Sequence, residues 1–167
     1  MPESTKLNFV RQQGFEEADA AVCASRYPAL MFQPQLVGIV VAIAVLLQSA
    51  PLFLALSAVL WWNALLPAHN PIDAVYNRLI AAPRNLPKLP PAPPPRRFAQ
   101  GMAATFTLAV GVLLLGGWLF AAWIIQGLLI AALAALIFGR FCLGSYLFYL
   151  FSGKIDFANR TLPWAHG

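Results

Sequence analysis

The sequence predicts an all-α integral membrane protein of four transmembrane helices arranged as two hairpins. Three observations carry this. Residues 36–66 and 98–138 contain no charged side chain. Each block is divided near its middle by a turn signal, Gln48-Ser49-Ala50-Pro51 in the first and Gly116-Gly117 in the second. All 11 Lys and Arg residues lie outside both blocks.

Composition points the same way. Of the 167 residues 60% are hydrophobic and 10% charged, where soluble domains carry roughly 25% charged residues. A soluble domain of this size still exposes about a third of its unfolded surface, so so much apolar side chain calls for lipid as solvent. The length suits one domain. The net charge of +5 could suit nucleic acid, but that would need basic residues gathered on one face among aromatics. Here they flank apolar runs, as in membrane proteins. Neither nucleic acid nor a soluble substrate is expected as a partner.

Residues 1–33 read as a polar, cytoplasmic N-terminal segment with no basic-then-apolar leader pattern. Phe15, Ala18, Ala21 and Val22 recur at helical spacing, which suits either a weakly amphipathic surface helix or a partly disordered tail. As a single helix, residues 36–66 would run about 46 Å, beyond a hydrocarbon core of about 30 Å. The polar residues and proline at 48–51 therefore divide them into helices at about 34–48 and 51–66, one strongly kinked helix being the alternative. Trp61 and Trp62 suit an interfacial belt.

Residues 67–97 form the main polar loop. Asn70-Pro71 reads as a helix cap followed by proline in the first turn. Ile72, Val75, Tyr76, Leu79 and Ile80 then follow helical spacing, giving a short interfacial helix of three turns at most. Seven prolines between Ala82 and Arg97 make the rest an extended cytoplasmic crossover. The third and fourth helices are expected at about 98–115 and 118–143. Gly101, Ala104 and Thr105 on the third, with Ala131, Ala132, Ala134 and Ala135 on the fourth, offer small faces for close packing in lipid. The transmembrane domain thus covers 34–151, and 152–167 form a cytoplasmic tail.

With four spans, both turn signals fall on one side and every Lys and Arg on the other. Positive charge marks the cytoplasmic side, so both termini are expected in the cytoplasm of a bacterial inner membrane.

Chemistry-bearing residues are few. No Asp, Glu, His or Lys lies within a predicted span, where function usually places them in membrane enzymes and pumps. His69 falls in the loop and His166 in the tail, away from mid-membrane, so no metal, pigment or other cofactor is expected. Gln48, Asn63, Gln100 and Gln126 are the most polar groups in or beside the spans, and Gln126 is expected to make an interhelical hydrogen bond. Arg140 and Cys142 form the one candidate reactive thiol, since a neighbouring cation can activate a cysteine. The plainer reading makes Arg140 an interfacial side chain and Cys142 a packing residue.

Arg97-Phe98-Ala99-Gln100-Gly101 opens a helix, and Phe141-Cys142-Leu143-Gly144 follows about forty residues later. With these motifs the chain resembles, over about residues 31–150, the bacterial membrane proteins grouped as domain of unknown function 4395. The resemblance implies the four-helix architecture. Members of that family commonly continue Phe-Cys-Leu-Gly into a second cysteine and occur beside thioredoxin-like and sulfurtransferase proteins, which implies thiol or sulfur chemistry. Here Ser145 stands at that position, and a lone Cys142 cannot close an internal disulfide.

The expected function is a non-catalytic accessory subunit of a larger inner-membrane complex, respiratory or photosynthetic. Its partners would be other membrane subunits and lipid, reached by the loop and polar tails. The alternative is a thiol- or sulfur-linked membrane protein using Cys142.

Overall fold

The computed structural model describes residues 3–165. These form eight α-helices, and no strand occurs among them. They are α1 (Glu3–Gln12), α2 (Ala20–Leu46), α3 (Ala50–Leu65), α4 (Pro71–Tyr76), α5 (Pro94–Leu115), α6 (Leu119–Ile137), α7 (Leu143–Phe151) and α8 (Ile155–Arg160). Helices α2, α5 and α6 are each long and apolar enough to cross a membrane, which marks the chain as a membrane protein. The apolar α3, with 16 residues, is shorter.

Two cores stack end to end. The larger joins α2, α3, α5 and α6 through Val41, Phe53, Leu60, Val110 and Leu129. The second is a cap built from α1, the first turns of α2, α4 and the loop, with Phe9, Val10, Leu30, Tyr76 and Leu89 at its centre.

Several boundaries differ from those expected. The first long helix starts at Ala20 rather than near 34, capped by Asp19, whose carboxylate accepts the Val22 N–H at 2.8 Å. Pro28 and Pro34 lie inside it; each removes one backbone hydrogen bond, which the packing on α1 and α4 outweighs. At 27 residues it runs about 40 Å, so its first turns reach into the cap. The N-terminal helix occupies 3–12, while Phe15 and Ala18 sit in the turn that follows. There Gly14 has φ +103°, and a Cβ on it would lie 2.6 Å from Pro93.

The break at 48–49 is a turn between two helices and not a kink. Gln48 takes φ +46°, and Ser49 caps α3 by accepting from Leu52 N–H. Asn70 caps α4 as its sequence suggests, its side-chain oxygen accepting from Ile72 and Asp73. A π-helical turn over Asn77–Ala81 extends that helix. The Pro-rich segment then packs on the cap, Asn77 exchanging two hydrogen bonds with the Leu89 backbone at 2.9 and 3.3 Å.

Helix α5 begins at Pro94 rather than 98, because prolines fit a first turn whose N–H groups have no partner. The expected helix 118–143 ends at Ile137 as α6, and a separate helix, α7, begins at Leu143. Arg140 at φ +56° ends the α6 conformation, the Phe141 N–H turns back onto Ala135 O, and α7 doubles back against α5. The expected tail, 152–167, is partly structural: it contains α8, which packs on α7.

Close helix approach on α5 uses Gly101 and Ala104 of the expected face, continued by Thr107 and Gly111 toward α3, and Ser57 donates to Ala104 O at 2.8 Å. Thr105 points outward. The tightest approach is α5 on α7, where a Cβ on Gly144 would lie 2.6 Å from Ala99 Cα and 2.7 Å from its Cβ. Gly144→Ala should therefore separate these helices and cost about 1–3 kcal/mol of stability, read as a lower unfolding midpoint in mild detergent. Gly127→Ala, with open space around its Cα, is the control and should leave the midpoint unchanged or raise it.

Candidate functional site

The two cores meet at a layer of buried polar side chains. Arg96, in the first turn of α5, is 4% exposed and grips Asp73 of α4 with both ends of its guanidinium, at 2.6 and 2.9 Å. Asn70 Nδ2 donates to the same carboxylate at 3.0 Å. From Arg96 the layer continues inward: Nη2 donates to Gln33 Oε1 at 2.7 Å, and Gln100 Nε2 donates to that same oxygen at 2.9 Å. A fork–fork pair is the geometry in which a buried carboxylate and guanidinium best offset their desolvation.

A second polar group lies at the start of α7. Cys142 occupies its cap position, and its N–H donates to Gln12 Oε1 at 2.8 Å. Ser145, fully buried, has its hydroxyl 3.3 Å from Cys142 Sγ and 3.4 Å from Pro95 O. It has one proton to share between them, while Gln13 Nε2 donates to its oxygen at 3.5 Å. Gln13, Gln33, Arg96, Gln100 and Cys142 all line one cavity of about 80 Å³.

The predicted site residues distribute unevenly around this layer. Phe98 packs edge-on to Phe151 and tilted against Phe148, both of α7. The Arg97 side chain leaves the layer and donates to Ala64 O at the end of α3, at 2.8 Å. Gly101 faces Trp61 at ordinary contact distance. Phe141 stacks between Tyr146 and Trp164. The two sequence motifs thus meet, through Ala99 against Gly144 and Gln100 beside Cys142.

Arg140 does not join Cys142. Its guanidinium lies over the Tyr27 ring at 5.4 Å, 3.6 Å from Met31 Sδ, and donates to Ile137 O. Cys142 is 5% exposed, so its sulfur is screened from the surface. Cys23 is a separate free thiol in the cap core. Gln126 bonds reciprocally with Gln48 at 3.2 and 3.3 Å, tying α6 to the α2–α3 turn. His69 is exposed in the loop, and His166 lies outside the described residues. Among the described residues no cluster of His, Cys, Asp or Glu could hold a metal ion.

The terminal segments fold onto one another. Thr5 and Asn8 donate to carbonyls of 162–165, and Lys154 pairs with Glu16 at 2.8 Å. Tyr149 is buried beneath that pair. Burial pushes its phenol up from the usual range, and the Glu16 carboxylate adds to the rise, so the ring remains neutral through physiological pH.

Sequence reasoning identified Gln100 and Cys142 but missed Gln12, Gln13, Gln33, Asp73 and Arg96. One signal was present: Asp73 is the sole acidic residue between Asp19 and Asp156, set in a segment of five basic ones. Asp73→Ala should strand the buried guanidinium and cost about 3–5 kcal/mol, measured as detergent-resistant unfolding. Asp73→Ala combined with Arg96→Met should recover most of that loss, since no buried charge is then left unmatched.

Residues 28–152 match the family described as Domain of unknown function (DUF4395). No curated protein and no solved structure matches the chain. The matched region runs from Pro28, inside α2, through α7 and so contains both motifs and the Arg96–Asp73–Gln33–Gln100 group, while Gln12 and Gln13 lie before it. The chain belongs to the DUF4395 family of membrane proteins.

Proposed function

We propose that this protein is a four-span subunit of a larger bacterial inner-membrane assembly, with α2, α3, α5 and α6 crossing the bilayer and both termini cytoplasmic. On this reading the cap, the Pro-rich crossover and α7–α8 lie together at the cytoplasmic face, where all 11 basic residues fall. Helix α3, about 24 Å long, is accommodated by local thinning of the bilayer. Packing along α5 sustains it.

The observation that carries the subunit reading is an apolar groove of about 740 Å³ between α2 and α6. Small residues Gly38, Ala42 and Ala134 form part of it, with Ile39 and Phe138 exposed beside it. Small residues at such a seam let a foreign helix approach closely, and packing is what drives helix association in lipid. The occupant proposed is a transmembrane helix of another subunit. The chain's own termini serve a different purpose from the expected arms, since they bind each other, so the lipid-level groove carries the contact. No catalytic role is assigned.

The second reading, thiol or sulfur chemistry at Cys142, draws on the 3.3 Å approach of the Ser145 hydroxyl to its sulfur. A hydroxyl donor can stabilise a sulfur anion when one forms, yet the sulfur is enclosed and has no second thiol beside it.

Topology is tested by cysteine-accessibility labelling: probes at Ser49 and Gly117 should report the periplasm, and probes at Asn85 and Ala165 the cytoplasm. Asn85 and Gly117 on one side would end the four-span reading. For assembly, Ala42→Trp should fill the groove and reduce co-purification of partner subunits in mild detergent, while Cys142→Ala leaves it unchanged. Loss of a thiol- or sulfur-transfer activity with Cys142→Ala, and no effect of Ala42→Trp, would favour the second reading instead.

A further inference from the structure

The orientation of one buried amide is dictated by a chain of donors. Arg96 carries only N–H donors, so the Gln33 atom it meets at 2.7 Å is the carbonyl oxygen. That oxygen is also met by Gln100 at 2.9 Å, and two oxygens cannot share a hydrogen bond without a proton, so Gln100 presents its NH2 there. The Gln100 carbonyl is thereby turned away. It is buried and has no hydrogen-bond partner in the protein, and Gln100 is 5% exposed on the wall of the 80 Å³ cavity. A buried carbonyl left unpaired costs free energy, so the cavity is built to receive a donor.

Charge and shape narrow the class. Arg96 is already matched by Asp73, which leaves no free ion in the layer, so the donor is uncharged. Beyond it lies a cavity of about 410 Å³ between α5 and α6, lined almost wholly by apolar side chains. The two share Ala99, Ala103, Leu133, Leu136 and Cys142 as lining, and Leu128 and Leu143 at the larger one are exposed apolar side chains, which on the four-span reading places its mouth at lipid. We propose that this is a binding site for an uncharged amphipathic lipid-phase molecule whose hydroxyl head donates to Gln100 Oε1 while its apolar body fills the α5–α6 cavity. The site requires neither a partner subunit nor a reacting thiol, and so stands apart from both readings above.

The test uses the full chain in lipid nanodiscs and three photoreactive probes with one diazirine-bearing hexadecyl chain: the alcohol, its methyl ether and the matching carboxylate. The alcohol should crosslink between Ala99 and Leu136, about tenfold more than the ether, the worth of one buried hydrogen bond. Gln100→Leu should reduce alcohol labelling to the ether's level. Ala103→Phe, which narrows the boundary between the cavities, should do the same if Gln100→Leu does not fold. Equal labelling by alcohol and ether would overturn the site, as would stronger labelling by the carboxylate. Adducts confined to the outer face of α6 would mean that only water fills the cavity, and the proposal would be wrong.

Discussion

The Arg96–Asp73 pair sits where two cores of different solvent character join, and most of the architecture can be derived from the need to keep it satisfied. Asp73 belongs to α4, on a loop, and Arg96 to the first turn of a membrane helix. Their bidentate contact fixes the height at which α4 lies against α5. An ion pair removed from water is stable only if its remaining hydrogen-bonding capacity is used. Asn70 and Gln33 supply that capacity from either side, and each is tied to its own element. Asn70 simultaneously caps α4. Gln33 brings in α2, one turn past the proline that would otherwise weaken the helix. Three segments are thereby registered on one another.

This constraint also explains which features were legible in the residues. Helices α3, α5 and α6, the cap at Asn70, and the turns at 48–51 and Gly116-Gly117 follow from local chemistry: apolar runs, side-chain oxygens, backbone freedom. What local chemistry could not reveal was any element held by distant contacts. Helix α2 runs through Pro28 and Pro34 because its early turns pack on α1 and α4, a tertiary effect that overrides proline's local penalty. The break between α6, which ends at Ile137, and α7, which begins at Leu143, includes Arg140 in a left-handed backbone, a conformation rarely read from an arginine. At the candidate site the same distinction holds. Gln100 stood out as a polar residue in an apolar run, whereas Gln33 lay in a polar segment where nothing distinguished it from its neighbours.

The two motifs that single out this chain have a shared physical explanation in the fold. Ala99 and Gly144 are small because α5 and α7 cross at a separation that excludes a Cβ. Phe98 and Phe148 flank the crossing and cover it with aromatic surface. Gln100 and Cys142 then necessarily come to one cavity, being the residues one step inward on each helix. The Arg97 side chain, directed the other way, satisfies a carbonyl at the end of α3, as basic side chains do at helix C-termini. A pattern that reads as a signature is therefore first a description of helix crossing. Any chemistry at Cys142 is an addition to that packing role.

The cap changes what the terminal segments can be used for. Had residues 3–19 and 152–165 been extended, they would have offered long polar arms to neighbouring subunits. Instead Asn8 and Thr5 bind the carbonyls of 162–165, Gln12 holds the backbone of Cys142, and Gln13 reaches Ser145. The N-terminal segment therefore acts as a lid on the start of α7, built from backbone and side-chain hydrogen bonds. Such bonds are directional and demand fixed partners, so the lid holds α7 in register on α5 more than it adds bulk stability. By holding Cys142 and Ser145 under α1, it also covers that end of the polar layer. On the proposed topology the approach to that layer runs through the α5–α6 cavity, which shares Ala99, Ala103 and Cys142 with it and would face lipid. A polar layer approached from lipid selects for molecules that partition into the bilayer before they bind.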